Sequence, residues 1–394
     1  MIDIMQKKQC CGCTACYNVC PKSCITMVRD KEGFSYPKLD KDKCISCGAC
    51  ERVCPVNNRV RVHKTNMAFA IQNKNADILF HSASGGAFTA IATSIINRGG
   101  VIFGAAYATD MSVHHLSAEN VDDIHIFRSS KYVQSSLDDS FCKVKGYLDE
   151  GRQVLFSGTP CQIAGLKSYL KRDYGNLFTV DVVCKGVASP EVLRQYVQLM
   201  QKKYNSNIVD MNFKRKTYGY HSSTMSIDFE NGKTYSAGRI TDLMMRSFTS
   251  GICFRPSCES CVFKGIERYS DLTLFDCWHY SVLTGKKDDD RGHTSILINT
   301  EKGYDMLMSC NKYLNIDSIN LESAVKLDGR MVCQRTAKNE KRDAYFFSLT
   351  TKGLANAVNK HLHISLRERL IEKSKPILYR MGILEKIKER VKQR

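Results

Sequence analysis

The 394-residue sequence has no apolar run approaching the length of a bilayer-spanning helix, which argues against an integral membrane protein. No apolar signal region precedes the first cysteine either, since the chain opens Met-Ile-Asp-Ile-Met-Gln-Lys-Lys. On these two absences a cytoplasmic protein is expected. No G-x-G-x-x-G follows an apparent strand, so a Rossmann nicotinamide site is not supported. No nucleic-acid recognition motif accompanies the positive charge, and nucleic acid is not expected as a partner.

Cysteine is what the sequence has in excess. Ten of its nineteen cysteines fall between Cys10 and Cys54. A disulfide framework belongs to small secreted chains, whereas in a reducing compartment these spacings read as metal ligands. The formal charge of +18 falls to about +12 to +14 once two or three thiolate-held clusters are counted, each with about two net negative charges. The remaining basic balance suits an acidic electron carrier, an anionic substrate or a membrane surface.

An internal repeat organises the first sixty residues. Cys10, Cys13, Cys16 and Cys20-Pro21 recur as Cys44, Cys47, Cys50 and Cys54-Pro55. Each is the C-x-x-C-x-x-C-x-x-x-C-P pattern of two-cluster bacterial ferredoxins. Three close thiolates wrap one 4Fe-4S cubane, and the fourth, before proline, completes the other repeat's cluster. One cluster is thus expected on Cys10, Cys13, Cys16 and Cys54, the other on Cys44, Cys47, Cys50 and Cys20. Zinc at the C-x-x-C pairs would leave the third cysteine of each run and both prolines unexplained. Cys11 and Cys24 are left over and read as buried thiols.

Beyond the basic linker at 59–64 the pattern turns α/β. Residues 86–97 have helical apolar spacing, 101–107 reads as a buried strand, and 154–156 and 177–183 as further strands. The loop 157–161 leads into a helix at 162–170. Ser189-Pro190 provides an N-cap and first residue for a helix to Lys203. Asn231-Gly232, between 224–229 and 234–236, reads as a hairpin turn. The fold class expected is α+β with α/β: a bacterial two-cluster ferredoxin fold (1–60), a mixed α/β flavin-binding core (61–345, parts 61–155 and 156–345), and a basic helical tail (346–394).

Six segments stand in a fixed order: Ser82 to Phe88, with Ser84-Gly85-Gly86; Ser130 to Ser135, with Lys131-Tyr132; Leu155 to Gln162, with Gly158-Thr159-Pro160-Cys161; Asp181 to Gly186, with Cys184; Arg255 to Cys261, with Cys258; and Asp276-Cys277-Trp278. In this order the chain resembles the beta-subunit family of coenzyme F-420-reducing hydrogenases and dehydrogenases, in its bacterial form with a fused ferredoxin. The resemblance spans residues 1 to about 345. It implies FAD, a 4Fe-4S cluster beside it, and electron flow between clusters and a two-electron acceptor. A plant chlorophyll reductase is a relative, so the family does not fix the substrate. Where members commonly carry histidine, proline and Trp-Gly, this chain has Lys185, Ala188 and Trp278-His279. Those departures bear on the substrate rather than on the cofactors.

The same residues make sense chemically. Ser84, Gly85 and Gly86 at a helix start offer backbone N–H groups to a phosphate. Lys131 is expected at the pyrophosphate or near flavin N1, with Tyr132 beside it. Gly158, Thr159, Pro160 and Gln162 form a strand-to-helix loop where backbone approaches a ring closely. Cys161, Cys184, Cys258 and Cys261 are expected to hold a third 4Fe-4S cluster, with Cys253 and Cys277 competing for a place. His114, His115, His279 and His293 are candidate proton donors, and the catalytic residues are otherwise left open.

The function expected is an oxidoreductase that passes electrons from reduced ferredoxin or a similar low-potential carrier through the clusters to FAD, or in reverse. The acceptor is a small molecule or a sugar-linked compound. Two other readings are an electron-transfer subunit of a redox complex and a reductase of surface-polysaccharide synthesis; a homo-oligomer is also compatible. Ile377, Met381, Leu384, Ile387 and Val391, interleaved with Lys386, Lys388, Arg390, Lys392 and Arg394, suggest peripheral membrane contact through the tail.

Overall fold

The computed structural model describes residues 7–384. An eight-stranded sheet runs in the order Leu314–Ile319, Met67–Asn73, Thr294–Ile298, Leu272–Asp276, Leu177–Val182, Val154–Gly158, Val101–Tyr107, Val113–Ala118. Its centre, from Leu272–Asp276 to Val101–Tyr107, is parallel, and the flanking pairs are antiparallel. The central strands are apolar runs because a parallel sheet is covered on both faces. Val101–Tyr107 buries Val101, Ile102 and Phe103 outright. The expected helices form at Ala87–Ile96, Pro160–Leu170 and Pro190–Tyr204. Ser189 Oγ accepts from the N–H groups of Glu191 and Val192, and Pro190 opens that helix. The hairpin at Asn231-Gly232 belongs to a separate antiparallel sheet, Ile208–Arg215, Thr224–Phe229 and Thr234–Gly238.

Five of the eight strands were not legible from pattern alone: Met67–Asn73, Val113–Ala118, Leu272–Asp276, Thr294–Ile298 and Leu314–Ile319. All but Val113–Ala118, which edges the opposite side, form one flank of the sheet. Among the described residues no helix is long and apolar enough to cross a membrane.

The ferredoxin module repeats in backbone as well as in sequence. One-turn helices, Ala15–Asn18 and Ala49–Arg52, each begin just before the third cysteine of their run. Gly12 and Ser46 share a left-handed φ, as do Thr14 and Gly48. The module is not a bead on a linker. Its Phe34 is fully buried in one hydrophobic cluster with Phe254 and Tyr345, and Cys13, Cys16 and Val53 share another with Phe156, Ile163 and Leu166. Glu32 forms a two-point ion pair with Arg342 at 2.9 and 2.5 Å, and Ser168 Oγ donates to Val53 O at 2.7 Å. The linker itself is fastened by backbone bonds between His63 and Arg268.

The helix Arg342–Lys352 runs across the expected boundary at 345 and buries Tyr345, Phe346 and Leu349. The helix Leu366–Arg380 buries no residue. Ile377 and Met381 are exposed but Leu384 is buried, so the apolar stripe expected there is interrupted. Residues 385–394, with the rest of that stripe and its basic positions, lie outside the described residues.

Candidate functional site

The parallel strands deliver their carboxyl ends to one side of the sheet, where ligands bind in open α/β folds. Gly158-Thr159-Pro160-Cys161 leaves Val154–Gly158, Cys184-Lys185-Gly186 follows Leu177–Val182, and Cys277-Trp278 follows Leu272–Asp276. Above them a cavity of about 420 Å³, within the size range of cofactor sites, is lined by Ser84, Gly86, Lys131, Tyr132, Gly158, Thr159 and Gln162.

Two expected lining residues face elsewhere. Gly85 donates its N–H to Thr294 Oγ1 at 2.8 Å, and a Cβ there would lie 2.1 Å from Ile71 O. Glycine is therefore required at 85 by close packing of two backbones, and its N–H is not free for a phosphate. Pro160 lies on a neighbouring cavity instead.

Within the large cavity the polar groups are ordered by a chain of bonds. Gln162 Oε1 accepts from Thr159 N in a capping box, and Gln162 Nε2 donates to Ser135 Oγ at 2.9 Å. Ser135 in turn meets His115 Nδ1 at 2.9 Å, while His115 Nε2 donates to Ser157 O at 2.9 Å. Burial pushes His115 down to about 4, so it is neutral near pH 7 and is not the proton donor suggested by the sequence. His114 pairs with Asp138, His279 with Asp328, and His293 stacks on Tyr280; none of the three lines this cavity. Lys131 Nζ donates to Ile126 O and Arg128 O at 2.7 and 2.8 Å, and burial pulls it down to about 7. Lys131 is thus the cavity group whose protonation changes near neutrality.

Sequence reading missed Arg128. It lines the same cavity as the start of Ala87–Ile96, a helix with no side-chain N-cap; its Nη1 lies 4.0 Å from Asp77, and its buried Nε lacks any hydrogen-bond partner. An unpartnered guanidinium nitrogen and an uncapped helix start on one cavity fit an anion such as a pyrophosphate. Arg128 and the helix start, rather than Gly85, are the groups that would face such an anion.

Cys161, Cys184, Cys258 and Cys261, from three separate segments, all line a second cavity of about 310 Å³. Cys253 and Cys277 are buried elsewhere and do not reach it. Burial pushes Cys258 up to about 12 and raises Cys184 and Cys261 as well. Cys161 is raised first by its bond with Cys11, then by burial. Buried sulfurs of this kind become thiolates when a metal displaces their protons, so the donor set fits a thiolate-held cluster. Cys11, which sequence reading left aside, lines the same cavity.

In the N-terminal module, Cys10, Cys13 and Cys16 share a cavity of about 80 Å³ with Cys54. Cys44, Cys47 and Cys50 share another, about 20 Å³, with Cys20. Cys24 lies at the second, 3.2 Å from Cys20 Sγ. The fourth cysteine of each run therefore sits with the opposite repeat.

Three of these cavities adjoin. Gln9, Cys11 and Val56 are common to the Cys10 cavity and the 310 Å³ one. Cys184, Lys185, Gly186 and Val187 form a wall between that cavity and the large one. A two-cluster ferredoxin module docked on an α/β domain, with further cysteines gathered at the seam, defines an iron–sulfur electron-transfer protein.

Comparison with known proteins finds two matching domains. Residues 9–58 match the 4Fe-4S dicluster domain, and residues 151–322 match the C-terminal region of the coenzyme F420 hydrogenase/dehydrogenase beta-subunit family. The chain thus carries a domain matching the C-terminal region of this oxidoreductase family, with a dicluster domain at its N-terminal end. Among solved structures it is similar to a chain of the xenon-derivatised F420-reducing NiFe hydrogenase complex from Methanosarcina barkeri. That likeness has 18% identity and a TM-score of 0.47, over 69% of this chain and 90% of the other. No curated protein matches the chain.

Proposed function

We propose that the chain is an iron–sulfur flavoprotein oxidoreductase that takes single electrons from a low-potential carrier such as reduced ferredoxin and delivers them in pairs to an acceptor. Three adjoining cavities support this reading, because the Cys10 group, the Cys161 group and one cofactor-sized space follow one another along them. Cys10, Cys13, Cys16 and Cys54 would hold one cluster, Cys44, Cys47, Cys50 and Cys20 a second, and Cys161, Cys184, Cys258 and Cys261 a third. FAD would occupy the large cavity, its pyrophosphate toward Arg128 and the start of Ala87–Ile96. Bound flavin supplies the conversion between one-electron and two-electron transfer that thiolate-held clusters lack.

The protein's own groups set the conditions. Gln162, Ser135 and His115 hold the Gly158-Thr159 loop in place. Lys131, poised near neutrality, holds or releases a proton at Nζ. Anaerobically purified protein should release about one FAD per chain on denaturation and contain about 12 irons. Recovery of FMN, or of no flavin after reconstitution, would remove the flavin from this reading.

A second reading, an electron-transfer subunit docked on a larger enzyme, draws on the C-terminal helices. Leu366, Leu370, Ile377 and Met381 are exposed and fall within about 60° of one another around the helix. The basic residues among them, Arg367, Arg369, Lys373 and Lys375, also suit an anionic membrane surface. Flotation with neutral and anionic vesicles, alongside native mass measurement of protein from its own cells, separates a lipid surface from a protein partner.

A further inference from the structure

Arg255 lies at the seam between the ferredoxin module and the α/β domain, with none of its surface exposed. Its backbone belongs to the third cysteine group: Arg255 N donates to Val187 O at 3.0 Å, and Cys258 N donates to Arg255 O at 2.9 Å. Its side chain crosses into the ferredoxin module. Nε donates to Cys10 O at 2.7 Å, and Nη2 to Ser35 O at 3.0 Å and Cys10 Sγ at 3.5 Å. Nη1 donates to Gln134 Oε1 at 2.9 Å, and the guanidinium lies 4.2 Å from the Tyr36 ring centroid.

A buried cation without a counter-charge costs several kcal/mol. Two of the other buried arginines have carboxylates, Arg268 pairing with Asp181 at 2.9 Å and Arg342 with Glu32 at 2.5 Å, while Arg246 bonds only to the neutral oxygens of Asn359 and Leu362. Among the described residues no carboxylate lies within ion-pair distance of Arg255. Of its acceptors, the Cys10 sulfur is the one that turns anionic, and it does so as a cluster ligand. The repeat shows what is special here. Cys44, the counterpart of Cys10, receives a backbone N–H from Ser46 at 3.4 Å and no guanidinium.

We infer that Arg255 is a positioning residue that acts through the Cys10 sulfur and gives the two halves of the ferredoxin repeat unequal reduction potentials. The inference rests on the proposed cluster ligands. A cation and an N–H···S bond favour the more negative, reduced state, so the cluster held by Cys10 has the higher potential of the two. Electrons therefore enter at the cluster held by Cys44 and Cys47, of which Cys47 is exposed, and leave through the one beside Cys11 and Cys161. The step is one electron, the donor cluster oxidised as the acceptor cluster is reduced, with no bond made or broken.

The test is an EPR-monitored redox titration of the full-length, cluster-loaded protein. Cys10→Ser assigns the signal of the first cluster by altering it alone. Arg255→Gln should lower that cluster's midpoint by about tenfold in its oxidised-to-reduced equilibrium, about 59 mV for one electron, and leave the other N-terminal signal in place. Arg255→Lys, which keeps the charge and loses the planar fork, should shift it the same way by less. Arg342→Gln loosens the same seam without touching Cys10 and should move neither. Equal shifts of both signals, no shift with either Arg255 variant, or reproduction of the shift by Arg342→Gln would overturn the inference. If Cys10→Ser alters neither signal, the ligand assignment itself fails. If it alters one and both Arg255 variants alter none, the ligands stand and the role of Arg255 falls.

Discussion

The N-terminal module and the seam cavity both gather cysteines, yet they are built in opposite ways. In the module, each loop supplies three cysteines within seven residues, and only the fourth crosses to the other repeat. At the seam, Cys161, Cys184 and the pair Cys258 and Cys261 come from a helix start, a strand end and a short 3-10 turn. A local loop pays little closure entropy to present its thiolates, whereas a dispersed set is held only as well as the sheet that carries it. The module should therefore tolerate damage to the core better than the seam does.

The strongest way to break this comparison is to empty the seam. Cys258→Ser combined with Cys261→Ser should cut iron from about 12 to about 8 per chain and leave the N-terminal cluster spectrum unchanged. Iron analysis with EPR decides it, and unchanged iron would dismiss the third site.

The next test acts through the sheet. Asp181 stands on the strand that leads to Cys184, and its buried ion pair with Arg268 should cost about 3–5 kcal/mol to break. Arg268→Ala should lower the thermal midpoint and lose seam iron before module iron. Simultaneous loss of all the iron on heating would show one cooperative unit instead.

Acid should loosen the side of the sheet at the large cavity in a defined window. His115 is held near 4 against an ordinary value of 6.5. As pH falls from 6.5 toward 4 the unfolded chain takes up a proton that the folded chain refuses, so stability declines through that range by about 3 kcal/mol. Thermal midpoints between pH 7.5 and 5 should fall more steeply for the native chain than for His115→Gln. Parallel slopes would assign the effect to other groups.

The smallest effect compares the two repeats directly. Gly48→Ala should cost about 1 kcal/mol, since its counterpart Thr14 already carries a Cβ at a left-handed φ. Gly12→Ala should cost more, because its Cβ would lie 2.4 Å from Gln134 Nε2 and 3.0 Å from Arg255 Nη1. Melting curves of the two variants that coincide would show that the docking seam is softer than these contacts imply.

By itself the sequence determined the ferredoxin module, down to the exchange of the fourth cysteine, because close thiolate spacing and the following proline encode a local geometry. It also marked the helix and strand that flank Gly99-Gly100, the Ser189-Pro190 cap and the hairpin, all of which are short-range features. Five strands of the sheet escaped it, since a short strand carries little period of its own and its pairing is decided by distant partners. The large cavity was half legible. Ser84, Lys131 and Gly158 lie on it, but only packing shows that Gly85 turns to Ile71 and Thr294, that His115 is neutral, and that Arg128 is left with an unpartnered nitrogen. The gathering of Cys161, Cys184, Cys258 and Cys261 on one cavity, away from Cys253 and Cys277, and the passage of Arg255 to Cys10 were likewise decided by tertiary structure. Those contacts join residues far apart in the chain, and nothing in local spacing records which strand ends the sheet will bring together.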